Sequence, residues 1–417
     1  MPIRVVVDAR LITGTGGGVE SVIVGLASGL SALQDGPEEY SFLTYGGADG
    51  WLRPYLTGPC RAMPIPMPLP IRVKSWAARM PVLRRDLWRR VTSVLGWEGG
   101  GPARSDGHLE RAGVDVVHFV RQEAFLTAIP SIYHPHDLQH RHLPEFFTPH
   151  ERAVRDRLYR AFCGQARMVA VTAAWGKRDL IEQYGLPADR IEVVPWAPPI
   201  QAYPEPRAED LSTVRLQHGL PEEFVFYAAQ TWPHKNHRGL IDALAWIRDQ
   251  TGRLIPFVSS GRRNEHYAQL YRRVAELGME AQVRFLGYVS PVELKSLYRL
   301  SRCVIIPTRF EAASGPLWEA FEAGIPAACS RVTSLPDQAG DAALLFDPDR
   351  PEEIGRALLR LWDEPDLRAT LVARGRARVA QFTWGRTAHL FRAHYRRIAG
   401  RDFTDQDRAL LAEAPGI

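Results

Sequence analysis

Twice along 417 residues, short β-branched runs alternate with amphipathic helical stretches. No other feature restricts the possible folds so strongly. The strand candidates of the first half are Ile3–Val7, Tyr40–Tyr45, Val114–Phe119, Ser131–His134, Met168–Thr172 and Ile191–Pro195. Those of the second half are Phe224–Ala229, Leu254–Ser259, Val283–Leu286, Cys303–Pro307, Ala327–Ser330 and Ala343–Phe346. Helical periodicity fills most intervals, as in Glu151–Phe162, Arg238–Arg248, His266–Leu277 and Pro316–Ala323. Apolar strands alternating with helices form parallel sheets covered on both faces. The expected fold is therefore α/β, with two doubly wound domains facing across a cleft. The seam is expected near Ala197–Arg207, where prolines interrupt both helix and sheet. Ligands of such sheets bind beyond the carboxyl ends of the strands, so the loops there are the ones to search.

One stretch breaks the alternation. Residues 63–70 alternate proline with apolar side chains and should be extended. Residues 71–95 carry Arg72, Lys74, Arg79, Arg84, Arg85, Arg89 and Arg90 against one acid, Asp86. Leu83, Leu87, Val91 and Leu95 recur there at helical spacing beside Trp88. Such a helix suits an anionic membrane surface, or else packs on its own domain with a solvated basic face. Residues 96–107 are glycine-rich and expected to form a loop. Across the chain 52 basic and 47 acidic residues leave a net charge of +5, too mild to imply a nucleic-acid partner. Nucleic-acid binding through 71–95 would show as a steep salt dependence. Cys60, Cys163, Cys303 and Cys329 have neither disulfide nor zinc spacing, which suits a reducing cytoplasm. Arg4 and Asp8 interrupt the N-terminal apolar run, so it reads as a strand and not a signal peptide, and no stretch reaches the roughly 20 apolar residues of a membrane span.

Three loops carry candidate chemistry. The first strand leads into Gly14-Thr15-Gly16-Gly17-Gly18-Val19-Glu20, where glycines let backbone N–H groups approach an anion at a helix start, though a plain turn has the same look. After the first strand of the second half comes Gln230-Thr231-Trp232-Pro233-His234-Lys235, with a lysine placed to neutralise a diphosphate. Strand 303–307 leads to Arg309-Phe310-Glu311-Ala312-Ala313-Ser314-Gly315-Pro316-Leu317-Trp318-Glu319. Here Ser314 suits an N-cap and Pro316 the first helical turn. Glu311 precedes this helix and Glu319 lies inside it, so the two have different tasks. His134, His136, His140 and His142 with Asp137 imitate a metal cluster, but Pro135 and the loop after it oppose convergence, and no metal is assigned. Asp347-Pro348-Asp349 reads as a turn before a helix.

Glu311-x7-Glu319, with Ala320–Pro326 and Gly340–Pro348 after it, resembles the Glu-x7-Glu region of family 4 retaining glycosyltransferases. The glycine loop, His136-Asp137, the Lys235 segment and Phe382-Thr383-Trp384 fit the same pattern. The wording around Lys235 and Ser314 is most similar to bacterial mannosyl- and rhamnosyltransferases of surface-polysaccharide pathways. The resemblance implies the GT-B fold, two Rossmann-like domains. Residues 1–200 would bind the acceptor, 207–385 the nucleotide-sugar donor, and 386–417 would return as helices to the first domain.

It also implies roles. Glu311 would contact donor sugar hydroxyls and stabilise positive charge at the anomeric centre, and Glu319 would bind ribose hydroxyls. Lys235 would hold the departing diphosphate, and His136 would lie beside the reacting carbon. Amides around Ala313, Ser314, Gly315 and Leu317 would reach the sugar; Gly16, Gly17 and Gly18 would reach the phosphate. The family commonly has an arginine where Gln230 stands, and Arg309 is the candidate to compensate. The implied activity is transfer of a hexose, GDP-mannose being the first donor to consider, to a glycan or lipid-linked acceptor. Configuration would be retained, with no metal or other cofactor, the nucleotide sugar being a substrate. A nucleotide-sugar epimerase or hydrolase on the same fold, or a non-catalytic sugar-nucleotide-binding protein, are the alternatives.

Overall fold

The computed structural model describes residues 2–12, 18–67, 101–413 and 416. Gly16, Gly17 and the basic segment 71–95 lie outside them, while Gly18 opens the helix Gly18–Ser31. The chain divides into two compact units. The first comprises Met1–Val171, Asp179–Val194 and Ala388–Ala414; the second comprises Thr172–Arg178, Pro195–Thr387 and Pro415–Ile417.

The strands of the first unit are β1 (Ile3–Asp8), β2 (Glu38–Tyr45), β3 (Cys60–Ile65), β4 (Val116–Phe119), β5 (Ser131–Tyr133), β6 (Met168–Val171) and β7 (Ile191–Val193). Every pairing is parallel, in the order β3-β2-β1-β4-β5-β6-β7. The second unit holds β8 (Val225–Ala228), β9 (Phe257–Ser260), β10 (Val283–Gly287), β11 (Cys303–Ile306), β12 (Ala327–Ser330) and β13 (Ala343–Phe346). These too are all parallel, ordered β10-β9-β8-β11-β12-β13. The expected α/β class and its two doubly wound sheets are what the chain adopts.

Burial explains the strand composition. Val5, Val6, Val7, Val116 and Val117 are almost wholly covered, as are Val225, Phe226, Val304, Ile305 and Ile306. A strand covered on both faces needs apolar side chains at successive positions. One strand, β3, escapes the pattern reading because Pro64 lies in it and its run is short of β-branched residues. Among the described residues it pairs with β2 alone, and an edge is where a sheet tolerates proline. The run expected at Leu254–Ser259 starts later: Leu254 is exposed, and β9 begins at Phe257, after Pro256. Among the described residues no helix is long and apolar enough to cross a membrane.

Both sheets reverse direction once. The first does so between β1 and β4, the second between β8 and β11. At such a reversal the loops leaving the two adjacent strands diverge to opposite faces and open a crevice at their carboxyl ends. Lys235 follows β8 and Glu311 follows β11, so both flank the reversal of the second sheet.

Candidate active site

The reversal in the second unit brings the two expected charges together. Lys235 Nζ donates to both carboxylate oxygens of Glu311, at 2.7 and 3.0 Å. Their side chains are 20% and 11% exposed, so the pair is largely shielded and stronger than a surface ion pair.

Each partner sits on a braced backbone. Asn236, in the left-handed region at φ 55°, caps the helix His237–Thr251 by accepting from the Gly239 N–H. Its amide donates to the carbonyls of Pro307 and Pro348. Thr308 Oγ1 and the Arg309 N–H donate to the His234 carbonyl. The Lys235 turn is thereby tied to the end of β11. Glu311 is held by Thr333 and Ser334, whose hydroxyls donate to its carbonyl. Gly261 passes so close to this turn that a Cβ would stand 2.4 Å from the Ala229 carbonyl oxygen.

Ser314 caps the helix Gly315–Ala323 as expected, its hydroxyl accepting from the Leu317 N–H, and Pro316 occupies the first turn. Gln338 clamps the cap, accepting from the Ser314 N–H and donating to its carbonyl. The helix start, with Ala313, Gly315 and Leu317, presents the positive dipole end just after Glu311. Glu319 is buried inside this helix and accepts from the Tyr298 hydroxyl at 2.6 Å. Burial pushes its carboxyl up to about 7, with the Tyr298 hydrogen bond acting in the opposite direction. Gln230 accepts from the indole N–H of Trp232 at 3.1 Å. Arg309 pairs with Asp349 at 2.9 Å, on the turn that Asp347 closes by accepting from the Asp349 N–H.

In the first unit His136 has φ 62° and donates from Nε2 to the Val120 carbonyl at 2.7 Å. The other three histidines of the run do not converge with it on one point. His134 bonds to His118, His140 to Asp156 and His142 to Asp179. Asn236, Thr333, Ser334, Gln338 and Tyr298 were not among the sequence-derived candidates. Only Asn236 had a readable signal, as an asparagine directly before a helix; the others reach the site from distant elements.

These buried groups predict a pH dependence. Burial pushes His118 and His394 in the first unit, and His237 in the second, down to about 3 from 6.5. Below 6.5 the unfolded chain binds protons that the folded chain refuses, so each histidine's contribution falls as the pH drops. Glu319 acts oppositely, since its raised pKa makes the fold bind the proton first between 4.5 and about 7. The expected net result is lower stability at pH 5 than at pH 7, about 2 kcal/mol per histidine less one similar offset. Urea titrations across pH check it; a profile flat between 5 and 7 would contradict it.

Residues 212–378 match the family "Glycosyl transferases group 1", and residues 16–197 match "Glycosyltransferase Family 4". The chain belongs to the family 4 GT-B glycosyltransferases. Among relatives of this glycosyltransferase, "O-antigen chain mannosyltransferase B" of Escherichia coli is 29% identical over 265 residues, covering 61% of this chain and 70% of that protein. "Serotype-specific mannosyltransferase WbdA" of Escherichia coli is 28% identical over 185 residues, 44% of this chain but only 23% of that one. A "D-inositol 3-phosphate glycosyltransferase" of Corynebacterium glutamicum (strain R) is 28% identical over 279 residues, 63% of this chain and 65% of that. Among solved structures, Anabaena Alr3699/HepE in complex with UDP and glucose superposes with TM-score 0.67 at 18% identity, covering 94% of this glycosyltransferase and 99% of that chain. WaaG, a glycosyltransferase involved in lipopolysaccharide biosynthesis, does so with TM-score 0.66 at 15% identity, covering 95% and 100%. At such identities the structures speak for the fold.

Proposed function

We propose that this glycosyltransferase moves a mannosyl residue from GDP-mannose to a saccharide or lipid-linked acceptor, with retention of configuration. The Lys235–Glu311 pair at the sheet reversal, beside a helix start, carries the reading. The mannosyltransferase relatives support the choice of sugar.

Cleaving a glycosyl–phosphate bond develops positive charge at the anomeric carbon and negative charge on the diphosphate. Lys235 and the amides opening the Gly315–Ala323 helix answer the negative charge, so this chemistry requires no metal. Glu311 answers the positive one and accepts from sugar hydroxyls. Since Lys235 and Glu311 are each other's partners in the structure, the donor exchanges one ion pair for two new contacts: the diphosphate takes Lys235, and the carboxylate turns to the sugar. Glu319 accepts from the ribose hydroxyls. In the first unit, which binds the acceptor, the proton on His136 Nε2 makes Nδ1 the accepting atom of the neutral ring, suited to a sugar hydroxyl. The leaving phosphate receives the acceptor's proton on the same face.

Thermal shift with a panel of nucleotide sugars, followed by transfer to manno-oligosaccharides and NMR of the product anomer, tests this. GDP-mannose at a hundredfold excess over Kd should add about 2.7 kcal/mol to stability. Stabilisation by a UDP-sugar alone, as the UDP complex of the Anabaena neighbour invites one to try, would replace the donor; an inverted product would refute retention.

A further inference from the structure

The first unit contains a line of buried polar groups that the chemistry above does not use. His118, on β4, is fully buried, yet both ring nitrogens are engaged. Nδ1 lies 2.6 Å from the hydroxyl of Tyr395, in the helix Trp384–Ile398, and Nε2 lies 2.8 Å from Nε2 of His134. His134 and Tyr395 are equally buried. Phe391 packs on both imidazoles, at 4.6 and 5.7 Å between ring centres, and Tyr40 packs on Tyr395 at 6.0 Å. Burying three polar side chains costs more than an apolar filling of the same space, unless each finds its partner. Here each does, and the order of donors is restricted. Either the phenol donates to His118 and His118 to His134, or both bonds run in reverse.

The line ends at the residue assigned to the donor sugar. His136 follows His134 by two residues, and their rings lie 5.9 Å apart. The carbonyl that accepts from His136 belongs to Val120, two residues after His118. Both anchors of the His136 loop thus adjoin the two bonded histidines. Left-handed backbone at a non-glycine residue is strained and persists only where its surroundings hold it.

We propose that Tyr395, through the His118–His134 bond, is a positioning residue that holds His136 in its reactive orientation. The inference rests on the reading of His136 as the group beside the transferred sugar. Tyr395→Phe removes one hydroxyl and almost no volume. Transfer by Tyr395→Phe should fall about tenfold in kcat, with the Kd for GDP-mannose unchanged within twofold.

A double-mutant cycle separates positioning from general damage. If Tyr395 acts through His136, then Tyr395→Phe added to His136→Ala costs nothing further. Equal losses in both backgrounds, or wild-type kcat in the single variant, overturn the proposal. A second measurement needs neither substrate nor variant. In 15N-histidine spectra of the wild-type protein, His118 and His134 should show fixed neutral tautomers, and averaged signals would also overturn it. Fixed tautomers in a protein that transfers no sugar would instead refute the donor-sugar reading.

Discussion

Glu311→Gln is expected to lower kcat at least a hundredfold while leaving affinity for GDP unchanged or higher. Two consequences of the Lys235–Glu311 pair drive this split. The amide keeps the shape of the carboxylate and one accepting oxygen, but neither its charge nor its second acceptor. It therefore fails where charge matters, at the developing positive centre, where one preorganised group is typically worth 10²–10³ in rate. At the same time Lys235 loses the counter-charge that holds it at 2.7 Å, so it meets the diphosphate without first breaking an ion pair. Lys235→Ala should behave differently. It removes the counter-charge of the leaving group and leaves a shielded carboxylate without its cation. Both kcat and GDP affinity should fall, and the melting temperature with them. Calorimetric titration with GDP alongside steady-state kinetics separates the two patterns. If Glu311→Gln lost GDP affinity as severely as Lys235→Ala, the exchange of partners would be wrong.

How far the sequence foretold this can be read from the same residues. Lys235 and Glu311 stood at the ends of apolar runs that form β8 and β11, and strand ends are legible because burial on both faces writes a continuous apolar signature. That the two touch required the strand order, which places β11 beside β8 although 74 residues later β9 and β10 have intervened between them in the chain. Ser314 was legible as a cap because its signal is local. Its clamp, Gln338, was not: a glutamine 24 residues away carries no mark of where its amide will point. The same limit hid Tyr298 and the Tyr395–His118–His134 line, whose members come from a helix and two strands' ends. The histidine run 134–142 shows the opposite failure, in which sequence proximity imitates convergence. A strand end, a left-handed turn and a short helix send its rings to unrelated partners.

The second large effect is expected on folding and not on catalysis. The helix Trp384–Ile398 is tied to the first unit by arginines. Arg392 bonds to Asp35, Arg397 to Glu192, and Arg396 lies between Glu38 and Asp407 at 2.7 Å from each. In the last group the arginine side chain is 8% exposed and its acids 2% and 1%, so little water shares the charge. Removing one member of a buried ionic group typically costs about 3–5 kcal/mol, because the remaining charges stay in low dielectric unpaired. Arg396→Met, which keeps the apolar length of the stem, should therefore destabilise the first unit by about that much. Hydrogen exchange resolves it unit by unit: amides of β1 and β2 should lose protection by a factor of about 10²–10³, while those of β8 and β11 keep theirs. The defect should also depend on acidity. Burial opposes ionisation of Asp407, but bonds from Thr404 and Arg396 outweigh it and hold its carboxyl below the usual range. A carboxyl depressed in the fold contributes stability above its unfolded pKa, near 3.9, and loses it as pH falls through the folded value. The gap between wild type and Arg396→Met should accordingly narrow below about pH 4. No defect would mean that Arg396 packs the helix by its stem alone; a defect of equal size in both units, or one indifferent to pH, would mean that this buried charge group is not its source.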